Sequence, residues 1–421
     1  MIRRFSSCHR RRQGAVMVWL ALAMVTIFGI VALTMDGGRL MDKRRQTQGV
    51  ADAAALAAAA DLYANYWQNH GKDSSCSAKQ AALDSAAANA PAGDGASTEL
   101  TVNIPPASGP FAGQAGYVEV IANTQVPASF ARVFTSQDLP VRARSVAVGQ
   151  PMKLGLILLR PSGADALLNK SLAFTVVNSP IAVNSSDPAA YDQAGFGVTT
   201  ASRFDITGGY VNSGGLILGP IRTGVRPTPD PLAFLPVPDA SAATVRSAVP
   251  LQLTSPLPTI LQPGVYRGGI AMSGSSSAVL MPGVYIMDGG GFQVGDLATV
   301  TGLEVTIYNT AGSYPAGPIT IDSLGKVTLA APLSGTYQGI NFFQNRSLAQ
   351  PLSFTGHGLT GITGVVYAAK AQVNVSEGLT GAVEILGGAY VCDSMQVNGV
   401  GSISVDLGLN PPRIPDVHLA E

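Results

Sequence analysis

Two carboxylates flanking one glycosidic bond are enough to hydrolyse a sugar polymer, so the acidic side chains are the first residues to test for chemistry. Asp205, Asp230, Asp288, Asp296, Glu304, Asp322, Glu377, Glu384, Asp393 and Asp406 are scattered through the C-terminal part of the chain, with no two adjacent or one residue apart. Only folding can bring a pair together, and the expectation is a protein that is not an enzyme. Asp288, in YIMDGGGF, is the best single candidate for a ligand-facing turn, because the three glycines after it let a ligand approach the backbone. The plainer reading is that glycine makes the turn after a strand.

The remaining chemistry-bearing residues are isolated. His9, His70, His357 and His418 each stand alone, and His357 in FTGHGLTG reads as a surface turn residue. Asp73-Ser74-Ser75-Cys76-Ser77 formally matches the D-x-S-x-S of metal-dependent adhesion sites, but it follows a helix and the polar NHGK instead of a buried strand, so no metal is expected. Nucleotide-binding glycine motifs and H-E-x-x-H are absent, and no cofactor is expected. Cys8, Cys76 and Cys392 form neither an even framework nor a metal spacing. Cys76 and Cys392 would share an oxidising compartment and could pair there, although nothing in the sequence brings them together.

The element that must position everything else is Gly14 to Met35, 22 residues without a charge. At about 1.5 Å per residue a helix of that length crosses the roughly 30 Å hydrocarbon layer of a bilayer. Its hydroxyls, on Thr26 and Thr34, can bond preceding carbonyls within the helix. Five arginines precede it (Arg3, Arg4, Arg10, Arg11, Arg12) and four basic residues follow (Arg39, Lys43, Arg44, Arg45). By the positive-inside count alone the orientation is nearly neutral. The long, polar-surfaced remainder places the N-terminus in the cytoplasm and the bulk outside. The same stretch has two rival readings. It is long for a cleaved signal peptide, and as a prepilin leader cut after Gly14 it has Trp19 where pilin-type helices carry Glu.

Charged residues make up 12% of the chain, half the usual share of about 25%. The first fifty residues carry a net +7 and the rest −7, so the basic excess belongs to the membrane end and nucleic acid is not an expected partner. Seven segments follow: a basic tail (1–13), the transmembrane helix (14–35), its Ala-rich extension (36–67), a connector (68–100) with AALDSAAANA as a short helix, a small α/β unit (101–148), a Gly-rich β domain (150–410) and a C-terminal tail (411–421). In the α/β unit, strands TVNIP, GYVEVIAN and LPVRARSVAV enclose a helix PASFARVF, the arginines of the last strand face water, and the long helix could pack over the sheet; its small side chains from Ala51 to Ala60 suit close packing against another helix or, equally, a solvent-exposed spacer. Asp36 reads as an interface residue that stops insertion, or as a polar contact facing a partner, and Gly38, Arg39 and Asp52 are further candidates for partner contacts. Gly37-Gly38 could bend the helix.

The β domain repeats weakly, LQPGVYRGGIAMSG at 261–274 returning as LMPGVYIMDGGGFQVG at 280–295. Its strands are about five residues long and end in Gly, Asn, Ser or Pro. This favours a right-handed parallel β-helix, with an antiparallel sandwich as the alternative. PTPDPLAFLPVP (227–238) cannot supply central-strand hydrogen bonds and reads as a surface loop.

The basic cap ending at Arg12, Gly14-Ala15, the uncharged helix, Asp36 with Gly38-Arg39, Lys43-Arg44-Arg45, and Gln48 leading to Ala51-Asp52-Ala53-Ala54-Ala55-Leu56 occur in that order. As a set they resemble the N-terminal region of TadG-like proteins of the tight-adherence (Flp-type) pilus assembly system. The resemblance covers residues 11–59. It implies a bacterial envelope protein of the inner membrane, a role in assembling or anchoring adhesive pili, and other pilus-assembly proteins beside the lipid bilayer as partners. Many relatives carry a von Willebrand type A domain after the anchor; this chain has the β domain instead, which removes any inherited metal site. Rival functions are a surface adhesin whose β domain binds polysaccharide, a minor pilin, and a carbohydrate-active enzyme.

Overall fold

The computed structural model describes residues 13–89, 97–127, 129, 132, 137–377, 383–408 and 411–421. The chain forms two compact units, Met1–Pro151 with Pro415–Glu421, and Met152–Ile414.

In the first unit α1 runs unbroken from Gln13 to Ala64. Ala, Leu, Met and Gln favour helix, and the stretch contains no proline. A short turn, Tyr66–Asn69, and the left-handed His70 end it. The connector expected at 68–100 is more ordered than a linker, because it contains a second helix, Ser77–Asn89, and the start of a strand. Asp73 accepts the Ala78 and Lys79 backbone N–H groups at 3.1 and 3.0 Å, and Ser77 Oγ donates to Asp61 at 2.6 Å. The D-x-S-x-S match is therefore a helix start, satisfying donors that have no partner within the helix.

β1 (Ser97–Asn103), β2 (Tyr117–Val126) and β3 (Leu139–Pro151) form an antiparallel sheet closed by the strand Pro415–Leu419. The expected tail at 411–421 thus supplies an edge strand; its Val417 packs on the core, and Ala420 N–H donates to Val146 O at 2.7 Å. Helix PASFARVF was expected between β2 and β3 and lies largely outside the described residues. α1 packs on the sheet as expected. Ala51, Ala54, Ala55, Ala58, Ala59 and Leu62 meet Val118, Val120, Ala122, Ala143 and Ala147, while Ala78, Ala82 and Ala86 of the second helix join the same core. Small side chains bring the backbones close. The limit is Gly149, where a Cβ would collide with the Ala59 carbonyl.

The second unit is a parallel β-helix of about ten turns, as favoured from the short strands. Each turn lays strands on three faces, and inward side chains stack in ladders. One ladder runs Leu251, Ile270, Phe292, Ile319, Leu352, Val373, Met395, Leu167, Tyr191. The step from Met395 to Leu167 shows that the order of turns is permuted. The chain enters in mid-stack, and residues 156–223 wind outward to one end. Residues 245–405 start at the opposite end and wind back until Ser402–Val405 pairs with Ala173–Val176.

The Pro-rich stretch joins the two blocks as a strap over the outer side of the first face. That face carries apolar side chains outward as well as inward: Val265, Ile286, Tyr308, Phe343 and Tyr367 form a second core with strap residues Leu232 and Leu235. A sheet buried on both sides reads as a continuous apolar run, which explains GINFF and GVVYAA. Arg346 pins the strap. It lies over the Phe343 and Tyr367 rings, both 5.3 Å away, and donates to the Leu232 and Leu235 carbonyls at 2.8 and 2.7 Å and to Tyr367 Oη at 2.7 Å. Tyr367 in turn donates to Asp230 at 2.7 Å. Burial first, then the Asp230 carboxylate, raise its phenol pKa.

Arg346→Ala leaves two strap carbonyls and a buried phenol short of a donor, which should weaken strap docking by about 2–3 kcal/mol. Limited proteolysis should then cut within 224–244 at least tenfold faster, and an unchanged rate would contradict this role for Arg346.

Candidate membrane anchor and helix–sheet site

α1 changes surroundings along its length. From Val16 to Val31 every residue is exposed, Trp19 by 74% and Val25 by 71%. The best 18-residue window has a mean hydropathy of 2.6 and no buried residue. Thr26 Oγ1 donates to the Leu22 and Ala23 carbonyls and Thr34 Oγ1 to those of Ile30 and Val31, all at 2.9–3.1 Å. No hydroxyl is left for lipid to solvate. From Thr47 the same helix turns a buried face to the sheet, with Thr47 Oγ1 bonded to Thr124 Oγ1 at 3.0 Å.

The four anchor residues singled out from sequence lie at or just past this change. Asp36 is 9% exposed and already engaged within the chain. Arg39 donates to the Ser129 hydroxyl in the β2–β3 connection. Asp52 accepts from Gln48 Nε2 at 2.7 Å, and Gln48 also donates to the Arg144 carbonyl of β3 at 3.1 Å. Arg39 and Asp52 therefore make bonds inside the unit. Gly38 differs: it is exposed, and a Cβ there would meet nothing within 4 Å. The helix stays unbroken through Gly37-Gly38.

An ion pair between buried Glu119 and half-buried Arg144, which the sequence did not reveal, holds the other face of the sheet. Glu119, on β2, accepts from Asn103 Nδ2 (2.8 Å), Ala107 N–H (3.0 Å), Ser108 Oγ (2.7 Å) and Arg144 Nε (2.7 Å). Arg144 also binds the carboxylate of Glu421, so the expected water-facing arginine instead clamps the C-terminus. Burial alone would raise the pKa of Glu119; the four donors outweigh it and hold the carboxyl at about 2.

The turn at Asp288 is occupied by the protein itself. Asp288 accepts from Ser313 N–H at 3.1 Å and Ser313 Oγ at 3.0 Å. Gly289, Gly290 and Gly291 have φ of 84°, 71° and 77°, and a Cβ on Gly290 or Gly291 would strike the carbonyls of Gly268 or Pro318. The glycines let turns stack at a corner. His357 bonds Asp322 on the adjacent turn at 2.8 Å. Cys76 is exposed and Cys392 is buried, and both are free. Among the described residues no cluster of three or more His, Cys, Asp or Glu could hold a metal ion.

Because the Glu119 pKa is depressed from 4.5 in the folded state, its stabilisation is complete above that value and is lost as pH falls from 4.5 toward 2. Glu119→Gln should lower the melting temperature at pH 7 and leave little difference from the parent at pH 2.5. An equal difference at both pH values would contradict this.

No curated protein and no solved structure matches the chain. Residues 14–61, which span the exposed half of α1 and most of its alanine face, match the family described as "Putative Flp pilus-assembly TadE/G-like", and the anchor region is thus a Tad-type domain of that family.

Proposed function

We propose that this chain is a membrane-anchored, non-enzymatic component of Flp/Tad-type pilus assembly. In this reading α1 sits in the bacterial inner membrane with its N-terminus cytoplasmic, and both folded units lie in the periplasm. The observation that carries it is the coincidence of the family match with α1. The stretch that matches the family holds the apolar helix together with most of the alanine face that packs on the sheet in this chain. The partners are the bilayer and other pilus-assembly or envelope proteins. Of the four residues named from sequence, Gly38 is the one the fold leaves open, and Gly29, Gly37 and Gly49 of α1 likewise have nothing within 4 Å of an added Cβ, although glycine in a helix costs about 1 kcal/mol against alanine.

Replacing residues 1–35 by a cleavable export signal keeps α1 from Asp36 onward, and with it the helix–sheet core. The variant should be released as a soluble periplasmic protein and piliation should fall at least tenfold. A membrane-impermeant maleimide added from outside should label Cys76 of the unaltered protein. Full piliation by the released variant, or labelling of Cys76 from the cytoplasmic side alone, would overturn the reading.

A further inference from the structure

The β-helix ends in open turns at both extremities. At one end Tyr210–Asn212, Leu216–Leu218 and Ile221–Thr223 have a strand neighbour on one side only; at the other, Val245–Ser247, Leu251–Leu253 and Pro258–Leu261 do. Inward-facing residues in mid-stack, such as Phe292, Ile319 and Leu352, are fully buried, whereas Ile217 and Ile221 at one end and Leu251 at the other are only partly covered. Outward apolar residues on the same strands are exposed as well, Leu216 by 53% and Ile260 by 65%. Solenoids ordinarily close such ends with polar caps, and exposed strand edges carry lysine or bulges that prevent pairing. These six strands contain no lysine. Their two arginines are engaged within the chain, Arg222 with Asp205 and Arg246 with the Pro263 carbonyl; Pro258 blunts only the first position of its strand.

We propose that these ends bind each other, the first end of one copy on the opposite end of a second copy, so that β-helices stack head to tail. Strand polarity selects this arrangement. Translation along the stack keeps every strand parallel across the joint, whereas joining like ends would set the strands antiparallel. The chain already makes such a joint internally. Tyr390–Cys392, Met395–Val397 and Ser402–Val405 pair with Leu156–Leu158, Leu167–Asn169 and Ala173–Val176 on the three faces. The two blocks that meet there are linked only through the strap at their far ends. Recognition across that junction comes from ladder continuity and not from chain connectivity, and the open end of a second copy likewise offers one strand on each of the three faces. A heterologous joint of this kind does not close, and it generates an open row.

The test uses the full chain in detergent with Cys8→Ser and Cys76→Ser, leaving the buried Cys392. Leu218→Cys and Ile260→Cys place one thiol at each end of the stack, roughly 40 Å apart at about 4.8 Å per turn, too far for an internal bridge. Mild oxidation of the double variant should give a ladder of covalent multimers, with each single variant staying monomeric. Adding Leu216→Lys should reduce the ladder at least tenfold. Dimers from a single variant would show like-end contact and overturn the proposal, as would a ladder insensitive to Leu216→Lys. Sedimentation of the chain without substitutions gives an answer independent of cysteine placement: the mass should rise with concentration through dimer and trimer, and a constant monomer mass would refute head-to-tail stacking.

Discussion

In hydrocarbon a backbone N–H or C=O has no water to bond, so a segment can cross only if its own hydrogen-bond ladder is complete. α1 meets that requirement and then uses the same ladder for a second purpose, as the central element of a helix–sheet core. The two uses need different side chains. Val, Leu, Met and Phe fill the exposed half, and alanines fill the half that must approach β3 closely enough for Gly149 to lie against Ala59. Because the helix is continuous, the folded unit is fixed to the end of the exposed apolar stretch without a linker.

A second constraint follows from where the β-helix is inserted. It occupies the connection between β3 and the closing strand, so its two ends must return to adjacent positions of one antiparallel pair, Pro151 opposite Pro415. A solenoid wound from one end to the other would leave its termini far apart. Entering in mid-stack and carrying the chain to the far end along the strap removes the difficulty, and Met152 N–H reaches the Ile414 carbonyl at 2.9 Å. The strap then has to be held on a long outer face, which accounts for the outward apolar residues there and for Arg346 between two aromatic rings.

The parts legible in the sequence were those governed by local physics. Hydropathy gave the exposed apolar helix, alanine density left close packing as one of two readings, and short strands with Gly and Asn corners gave stacked turns. The parts that were not legible depend on partners distant in sequence. Nothing near 415–419 marks it as a strand until β3 is beside it. The permuted order of turns leaves no local trace, because the Met395–Leu167 ladder step looks like any other once formed. Glu119 and Arg144 appeared as ordinary polar residues of half-covered strands, and only the covering loop at Ala107–Ser108 and the returning C-terminus turn them into an ion pair. Gly149 carried a readable hint, since glycine inside a strand often marks a close backbone approach. The glycines after Asp288 mark close approach too, to neighbouring turns of the same chain.

Trp19 and Trp67 are the two tryptophans, one in each half of the long helical region. Their fluorescence in vesicles with brominated acyl chains is the most direct measure of whether the helix divides between lipid and protein as described. With Trp67→Phe, the remaining Trp19 should lose most of its emission to bromine quenching; with Trp19→Phe, Trp67 should be unaffected. Emission from Trp19 that ignores brominated lipid would contradict the account.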